Sequence, residues 1–225
     1  MANIGFRIYR SFERPSKSLI ESFKDVPVAN ISDNMGRIAC MDTSIKSFNQ
    51  TKLLGSAFTV RVPAGDNLIL HKAIDMAQPG DVIIVDGEGG MNHALMGEIM
   101  FRYAISRGVA GFVLDGCIRD VDALSELDFP VFAKGVNPKG PYKNGPGEIN
   151  VPISCGGLVV HPGDIIAGDS DGVVVIRPAD APVLLELATK QHANELKTFK
   201  QIEAGTLDRA WVDQFLTEKG CEILA

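Results

Sequence analysis

The segment from Gly97 to Asp120, GEIMFRYAISRGVAGFVLDGCIRD, contains the patterns that decide the fold. In its first half, apolar residues recur at helical spacing, which predicts an amphipathic helix over 94–107. Gly108 follows that helix and can adopt the left-handed conformation with which helices often end. Val109 to Asp115 is almost continuously apolar and has the length of a strand, so we predict a buried strand there.

The alternation of helices and strands continues toward the amino terminus. Helical spacing recurs over 18–24, 29–35 and 67–76, and strand-like runs cover 54–63 and 82–86. Ser32 or Asp33 could cap the second of these helices by accepting a backbone N–H. The glycine-rich stretch 87–93 is predicted to be irregular.

Strands dominate on the carboxyl-terminal side, before two final helices. We predict a short helix over 121–126, strands over 130–133, 151–160 and 164–176 with a turn at 169–172, a long helix over 178–204 and a helical tail. Asn137 to Asn150 holds three prolines and three glycines and is predicted to be a long loop. This order predicts one mixed, layered α/β domain over 1–225, with a C-terminal helical segment from about 178. A (β/α)8 barrel is not expected, because it usually needs ~250 residues.

Composition excludes several classes of protein. The chain has 225 residues, a net charge of −6 and a pI near 5.2, whereas a nucleic-acid-binding surface is normally basic. No run approaches the ~18 uncharged apolar residues that span a bilayer, and no signal peptide is recognised. We therefore expect no nucleic acid partner, no membrane association and a cytoplasmic location. The four cysteines include no C-x-x-C pair and are expected to be reduced thiols.

The end of the central segment combines groups that bind an anion and a hard metal ion. We expect a sharp turn at Gly116 that brings Arg119 and Asp120 to the carboxyl end of the sheet, where ligands of open α/β sheets bind. Arg119 offers a planar fork of donors for a carboxylate, and Asp120 suits Mg²⁺ or Mn²⁺. Gly97 would let an anion approach the amides of residues 98–100, provided that the helix begins later than residue 94. This combination suits a small 2-oxo acid and predicts an enzyme.

These residues also have ordinary structural interpretations. Arg119 and Asp120 could form an ion pair at a loop, and Glu98 could lie on a solvated helix face. Cys117, beside the arginine, is better explained as a packed thiol than as a nucleophile, since no matching base is evident. The acidic stretch 169–171 resembles a metal loop, but a tight hairpin turn is the better interpretation.

Over most of its length the chain resembles the RraA-like family, whose enzymatic members are 4-hydroxy-4-methyl-2-oxoglutarate aldolases and related 4-carboxy-4-hydroxy-2-oxoadipate aldolases. The family pattern is an acidic residue, twenty intervening residues and Arg-Asp, which Glu98, Arg119 and Asp120 reproduce. Further similarity lies in the runs 80–86, 111–120, 129–133 and 162–176. The resemblance implies a layered mixed β/β/α sandwich of the RraA-like, swivelling-domain type. It also implies a homotrimer or homohexamer with active sites at subunit interfaces.

The resemblance further implies how the site residues act. Asp120 would hold a divalent cation, Mg²⁺ or Mn²⁺, with waters in most remaining positions. Arg119 would bind the carboxylate and the keto oxygen of a 2-oxo acid substrate. The backbone that would bind the pyruvyl carboxylate comprises Gly97, Glu98, Ile99 and Met100.

Two further acids complete the implied catalytic set. Glu98 stands where the aldolases usually have Asp and would hydrogen-bond a metal-bound water. A C-terminal glutamate that reaches in from a neighbouring subunit is another family feature, and Glu195 is the best candidate for it. Glu195 would contact the metal through water, or it is an ordinary surface residue.

The implied activity is metal-dependent cleavage of a 4-hydroxy-2-oxo acid to pyruvate and a second oxo acid, with oxaloacetate decarboxylation as a side activity. Family members that regulate ribonucleases lack the upstream acid, so Glu98 favours catalysis. The alternative is a non-catalytic regulator that binds a ribonuclease or helicase. A methyltransferase ranks last, because no glycine-rich nucleotide fingerprint precedes a strand-end acid.

Overall fold

The central layer is a mixed sheet of nine strands, seen in a computed structural model that describes residues 3–224. The strands are β1 (Phe6–Ile8), β2 (Lys46–Ser47), β3 (Leu53–Arg61), β4 (Asp81–Met96), β5 (Gly111–Ile118), β6 (Val131–Val136), β7 (Gly147–Ile149), β8 (Ile153–Cys155), β9 (Leu158–Val160), β10 (Ile165–Asp169) and β11 (Gly172–Ile176). The helices are α1 (Lys17–Glu21), α2 (Val28–Asn34), α3 (Leu68–Met76), α4 (Glu98–Ser106), α5 (Val121–Ser125), α6 (Ala181–Glu203) and α7 (Ala210–Glu218). β8 and β9 pair with each other, apart from the main sheet.

Four parallel strands form the middle of the sheet in the order β3, β4, β5, β6. The helices α3, α4 and α5 each connect one of these strands to the next. β10 pairs antiparallel with β3 and forms a hairpin with β11. Within the described residues the strand path ends at β1 and β2 and does not close on itself. The prediction of a mixed α/β fold rather than a (β/α)8 barrel is therefore confirmed.

Both faces of the sheet are covered by apolar side chains. On one face, Phe101 of α4 packs edge-on against Phe112 of β5, with ring centroids 6.5 Å apart. On the other face, Val113 and Phe132 belong to a cluster to which the β8–β9 hairpin contributes Cys155. The layers are thus helices, the main sheet and a second layer of strands, as expected for a β/β/α sandwich.

The C-terminal helices leave much of their apolar surface uncovered. α6 has 23 residues, but its buried residues all lie in its first eight positions, and α7 has none. The large exposed apolar side chains beyond that point include Leu196, Phe199, Ile202, Trp211 and Phe215. Among residues 3–224 no helix, α6 included, combines the length and the hydropathy needed to cross a bilayer.

The course of β4 differs most from prediction. This strand runs from Asp81 to Met96 through the glycine-rich stretch predicted to be irregular, and it includes the first residues of the predicted helix 94–107. Its register with β5 shifts between Asp86 and Gly90 and again before Ala94, so extra residues bulge out while pairing continues. Because strand partners outweigh the local preference of glycine, α4 begins only at Glu98.

The end of β5 was also predicted wrongly. Gly116 does not turn the chain, because the strand continues to Ile118. A Cβ at Gly116 would lie 2.9 Å from Cδ1 of Leu95, so this glycine permits close packing between neighbouring strands.

The stretch 151–160 is a hairpin of two short strands instead of one strand. Gly156 and Gly157 form its turn with φ angles of +53° and +78°, a conformation that glycine adopts readily. The predicted loop 137–150 likewise contains β7 near its end.

The capping prediction for α2 was wrong, since Ser32 and Asp33 lie inside that helix and Pro27 is its N-cap residue. The predicted turn at 169–172 is present, and the backbone N–H of Asp171 donates to Oδ1 of Asp169 at 3.0 Å. The other predicted helices are present within a few residues of their expected bounds.

Candidate active site

The ends of two neighbouring parallel strands bring the central segment together. Gly97 follows β4 directly, and Arg119 and Asp120 follow β5. The backbone N–H of Arg119 donates to the carbonyl oxygen of Met96 at 3.0 Å, which joins the two strand ends. The predicted juxtaposition at the carboxyl edge of the sheet is therefore present, although no turn at Gly116 produces it.

Asp120 is held in a rarely populated backbone conformation. Its φ and ψ angles are 59° and 38°, in the left-handed region that disfavours residues other than glycine, asparagine and aspartate. Oδ2 of Asp120 accepts a hydrogen bond from the backbone N–H of Glu98 at 3.1 Å. The carboxylate thus lies at the amino terminus of α4, and no hydrogen bond from the described residues reaches its Oδ1. One carboxylate oxygen is fixed and the other is available.

Gly97 is required by this packing. Its φ of −152° is open to any residue, so the constraint comes from space and not from the backbone. A Cβ at this position would overlap Oδ2 of Asp120 and lie 2.9 Å from Cγ of Arg119. The absence of a side chain therefore lets both functional groups approach the start of α4.

Arg119 has hydrogen-bonding capacity that the protein does not use. Its Nε is 3.7 Å from Oδ2 of Asp120, beyond hydrogen-bond distance, and is a buried donor without a partner among residues 3–224. The side chains of Arg119 and Asp120 remain 41% and 43% exposed, so the site is open on one side in a single chain. A planar fork with unused donors beside a carboxylate suits an anionic ligand.

The predicted row of backbone amides is only partly available. Because α4 begins only at Glu98, residues 98–100 form its first turn, as the prediction required. The N–H of Glu98 nevertheless donates to Asp120, and that of Met100 donates to the carbonyl oxygen of Gly97 at 3.0 Å. Within the described residues, the N–H of Ile99 alone among these three has no acceptor. The amide cradle expected from sequence is thus narrower than predicted.

The two further acids lie apart from Asp120. Oε1 of Glu98 accepts from Nε of Arg102 at 2.7 Å, so its carboxylate is directed along α4. Glu195 lies on α6, where its Oε1 accepts from Nδ2 of Asn30 at 2.7 Å and from Nε2 of Gln191 at 3.1 Å. No hydrogen bond or ion pair joins Glu195 to the Arg119–Asp120 pair within the described part of one chain.

Sequence reasoning missed the way the loop 137–146 is held beside Arg119. A Cβ at Gly140 would lie 3.1 Å from Nη1 of Arg119. The buried carboxylate of Asp66 accepts backbone N–H bonds from Asn144 at 2.6 Å and Gly145 at 3.1 Å. The density of glycine and proline indicated a loop, but only long-range hydrogen bonds fix its position.

Basic side chains lie on the loop 137–146 and beside it. Burial, followed by the nearby Lys143 ammonium, lowers the pKa of His71 from its ordinary value of 6.5. The ring of His93 packs against Gly65 and lies 5.0 Å from the Tyr142 ring, measured between centroids. The loop therefore brings the Lys143 ammonium near His71 and the Tyr142 ring against His93.

The donor set fits a hydrated hard cation. No cluster of three or more His, Cys, Asp or Glu side chains among residues 3–224 could hold a metal by itself. Mg²⁺ usually keeps several waters and needs only one or two carboxylates, which matches one free oxygen of Asp120. The exposed part of the Arg119 guanidinium, which donates no hydrogen bond among the described residues, can bind an anion beside that oxygen.

Two alternatives from sequence receive structural explanations. The carboxylate of Asp169 accepts from the backbone N–H groups of Val28 and Asp171 at 3.1 and 3.0 Å, which accounts for it as a turn residue. Cys117 is buried, and burial raises the pKa of its thiol, as expected for a packed side chain.

Comparisons with known proteins agree on one family. The RraA-like family model, described as Aldolase/RraA, matches residues 28–175. A protein of Halalkalibacterium halodurans named "Putative 4-hydroxy-4-methyl-2-oxoglutarate aldolase" is 42% identical over 177 residues, which are 78% of this chain and 84% of that protein.

Solved structures extend the comparison to the fold. The RNA-processing inhibitor RraA from Thermus thermophilis is 31% identical with a TM-score of 0.63, over 68% of this chain and 93% of that chain. An uncharacterized protein from Pseudomonas syringae pv. tomato has a TM-score of 0.77 at 24% identity, over 87% of this chain and 97% of that chain, which shows a shared fold. Together with the extent of the family match, these similarities show that the chain belongs to the RraA-like family.

Proposed function

We propose that this protein is a divalent-metal-dependent pyruvate aldolase that cleaves a 4-hydroxy-2-oxo acid, 4-hydroxy-4-methyl-2-oxoglutarate or 4-carboxy-4-hydroxy-2-oxoadipate, to pyruvate and a second oxo acid. The observation that carries the proposal is the arrangement of Arg119 and Asp120 around Gly97 at two strand ends. The name of the relative that is 42% identical supports the same reaction class.

Asp120 would hold Mg²⁺ or Mn²⁺, which supplies a Lewis acid for the 2-oxo group. Arg119 binds the substrate carboxylate and keto oxygen through donors that the protein leaves unused. As the C–C bond breaks, negative charge develops on the three-carbon fragment, and a fixed guanidinium stabilises that charge. The N–H of Ile99, at the amino-terminal turn of α4, provides a further donor for the pyruvyl carboxylate.

Proton transfer needs a base near the 4-hydroxyl group and an acid for the pyruvyl fragment. We assign both steps to water held by a carboxylate, with Glu98 on the same chain and Glu195 as the candidates. Glu98 can take this role only when its carboxylate leaves Arg102, its partner at 2.7 Å. The same three-carbon fragment results when oxaloacetate loses CO₂, so oxaloacetate decarboxylation is the expected side activity.

The proposed assembly is a homotrimer or homohexamer with active sites between subunits. Two observations support it: the site is open on one side, and the second half of α6 and all of α7 expose large apolar side chains. Such a surface is characteristic of an interface. In this assembly Glu195 of a neighbouring subunit completes the site, whereas within its own chain it contacts Asn30.

The direct test is pyruvate release from a panel of 4-hydroxy-2-oxo acids, coupled to lactate dehydrogenase, with Mg²⁺ and then with EDTA. We expect turnover that chelation removes and added Mg²⁺ restores. The Asp120→Asn variant should be inactive and Lys72→Gln, on the exposed side of α3, should match the native protein. Activity that survives chelation, or that persists in Asp120→Asn, would contradict the proposal.

A second candidate is a non-catalytic regulator that binds a ribonuclease or helicase. The similarity to an RNA-processing inhibitor at 31% identity favours it, and the net charge of −6 suits a basic protein partner. Inhibition of a ribonuclease by the purified protein, with no turnover of oxaloacetate or of any 4-hydroxy-2-oxo acid, would support this candidate over the aldolase.

A further inference from the structure

A cleft opens at the edge of the sheet opposite the candidate active site. Its volume is about 640 Å³, and it lies between the segment 14–28 and the starts of β3 and β4, with Ala110 and the end of β10 completing the wall. β4 and β5 run in parallel from this edge toward Gly97 and Arg119. The cleft and the Arg119–Asp120 pair therefore lie at opposite ends of the same strands.

The wall of the cleft contains a buried hydroxyl without a partner. Ser56 is 2% exposed, and its Oγ has no hydrogen-bond partner among the described residues. Its backbone N–H donates to the carbonyl oxygen of Gly80 at 3.2 Å, so the side-chain hydroxyl is the donor that lacks a partner. A buried hydroxyl without a partner destabilises a protein, and alanine would avoid that cost. An occupant of the cleft with a polar atom would satisfy Ser56.

Arg14 is a second donor in this wall. Its Nε and Nη2 donate to the two carboxylate oxygens of Asp81, each at 2.8 Å, and its guanidinium carbon lies 4.0 Å from the centre of the Phe12 ring. These contacts fix the guanidinium, while Nη1 has no acceptor within residues 3–224. Arg14 therefore contributes to the lining a rigid donor whose charge is paired with Asp81.

Most acids that line the cleft are already neutralised or hydrogen-bonded. Asp81 pairs with Arg14, and Glu21 pairs with Lys24 at 3.3 Å. Asp169 accepts two backbone N–H bonds. These carboxylates leave little capacity to bind a cation.

The hydrogen-bonding groups that remain unused are mainly donors. Lys17 and Lys52 line the cleft without an ion pair among the described residues, and Asp25 is the one carboxylate of the lining that has neither an ion pair nor a hydrogen bond there. The lining has four cationic and four anionic side chains, so its unused donors, and not a net positive charge, favour a ligand with acceptor oxygens. Between these polar groups the lining is apolar, with side chains of Ile20, Phe23, Val26, Leu53 and Leu54.

We propose that this cleft is a binding site for a small carboxylic acid with an apolar body. The carboxylate interacts with Arg14, Lys17 and Lys52, Ser56 donates its hydroxyl proton to a ligand oxygen, and the apolar body packs against the aliphatic and aromatic lining. This site is independent of the proposed aldolase reaction, because it lies at the other edge of the sheet and uses none of the same residues.

The test uses 3-phenylpropanoate as the probe, titrated into the full-length protein and followed by calorimetry. Its binding should be at least about tenfold tighter than that of the uncharged 3-phenylpropanol. The double variant Lys17→Glu/Lys52→Glu should weaken it by a similar factor. Lys72→Glu, an exposed lysine on α3, is the matched control and should bind as the native protein does. Arg119→Ala should also bind normally, since a probe seated in the candidate active site would be lost in that variant.

Ser56→Ala separates a ligand-binding role from a structural one. We expect this variant to bind the probe several-fold more weakly and yet to unfold at a higher temperature without ligand, because an unsatisfied buried hydroxyl is removed. Equal affinity for the acid and the alcohol would overturn the proposal. So would loss of probe binding in Arg119→Ala, or a Ser56→Ala variant that binds the probe as tightly as the native protein. All of these readouts are binding or stability measurements, so they stand even if no aldolase activity is found.

Discussion

The carboxylate of Asp120 accepts a hydrogen bond from the backbone N–H of Glu98 at 3.1 Å, although the two residues are 22 positions apart. This bond joins the loop after β5 to the first turn of α4 and positions the proposed metal ligand. The positive end of a helix dipole also favours the ionised carboxylate. The contact depends on Gly97, which leaves the space that Oδ2 occupies.

Replacing Gly97 by alanine should lower activity strongly with little change in the fold. The new Cβ would overlap Oδ2 of Asp120 and crowd Cγ of Arg119, so both groups must move. Displacement by about 1 Å can cost on the order of 100-fold in rate, and we expect at least that loss in kcat/KM. Circular dichroism and Mn²⁺ binding should accompany the assay, with Lys72→Gln, outside the site, as the control variant.

The left-handed backbone of Asp120 makes a stability prediction that is separate from activity. Asp120→Ala and Asp120→Gly both remove the carboxylate, but only alanine pays the steric penalty of this conformation, about 1 kcal/mol. We therefore expect the glycine variant to be the more stable of two inactive proteins in urea denaturation. Equal stability of the two variants would mean that the backbone changes conformation when the carboxylate is removed.

Arg119→Lys should retain charge and lose function. A lysine ammonium cannot reproduce the planar fork that binds a carboxylate and a keto oxygen together. We expect kcat/KM to fall about 100-fold, the usual loss for one donor that stabilises developing charge. Arg102→Lys, which alters the exposed partner of Glu98, is the matched control and should have a much smaller effect. A lysine variant with native kcat/KM would exclude the proposed role of Arg119.

Shared active sites can be tested by mixing variants. Asp120→Ala and Glu195→Ala should each be inactive, but hybrid assemblies should regain activity, because some interfaces then combine an intact Asp120 with an intact Glu195. Mixing Asp120→Ala with Arg119→Ala should restore nothing, since both changes affect the same subunit's half of the site. Failure of the first mixture to regain activity, in assemblies proven to be mixed, would show that Glu195 does not act across the interface.

The pKa of His71 tests whether the loop beside Arg119 holds Lys143 near this ring. Burial and then Lys143 lower its pKa below 6.5, so Lys143→Met should raise the pKa measured by NMR without restoring 6.5, because burial remains. A depressed histidine pKa means that proton uptake favours the unfolded chain. The contribution of His71 to stability is therefore present above about pH 6.5 and declines as the pH falls through the folded-state pKa. An unchanged pKa in Lys143→Met would mean that the loop does not hold Lys143 near His71.

Local patterns predicted a substantial part of this protein. The strands β4 and β5 were recognised as continuous apolar runs because both of their faces are buried. The helices α3, α4 and α6 were recognised by their helical spacing because each buries one face. The spacing from Glu98 to Arg119 and Asp120 indicated the family, which the comparisons confirm. These features could be predicted because each depends on a periodicity or on residues that are near one another in the chain.

The errors share a different physical origin. Local glycine content predicted an irregular stretch before α4, yet hydrogen bonds to β5 hold that stretch as a bulged strand. Gly116 resembled a turn residue, but packing against Leu95 explains it.

The sequence by itself determined the order of the main helices and of the central strands, the acidic character and the residue types of the candidate site. Only the tertiary structure decided that Asp120 turns its carboxylate onto the amide of Glu98, that Arg119 keeps an unpartnered donor, and that Glu195 contacts Asn30 in its own chain. The first and the last of these relationships join residues far apart in the chain. They arise when strand pairing and core packing bring the segments together, and no local propensity encodes that event.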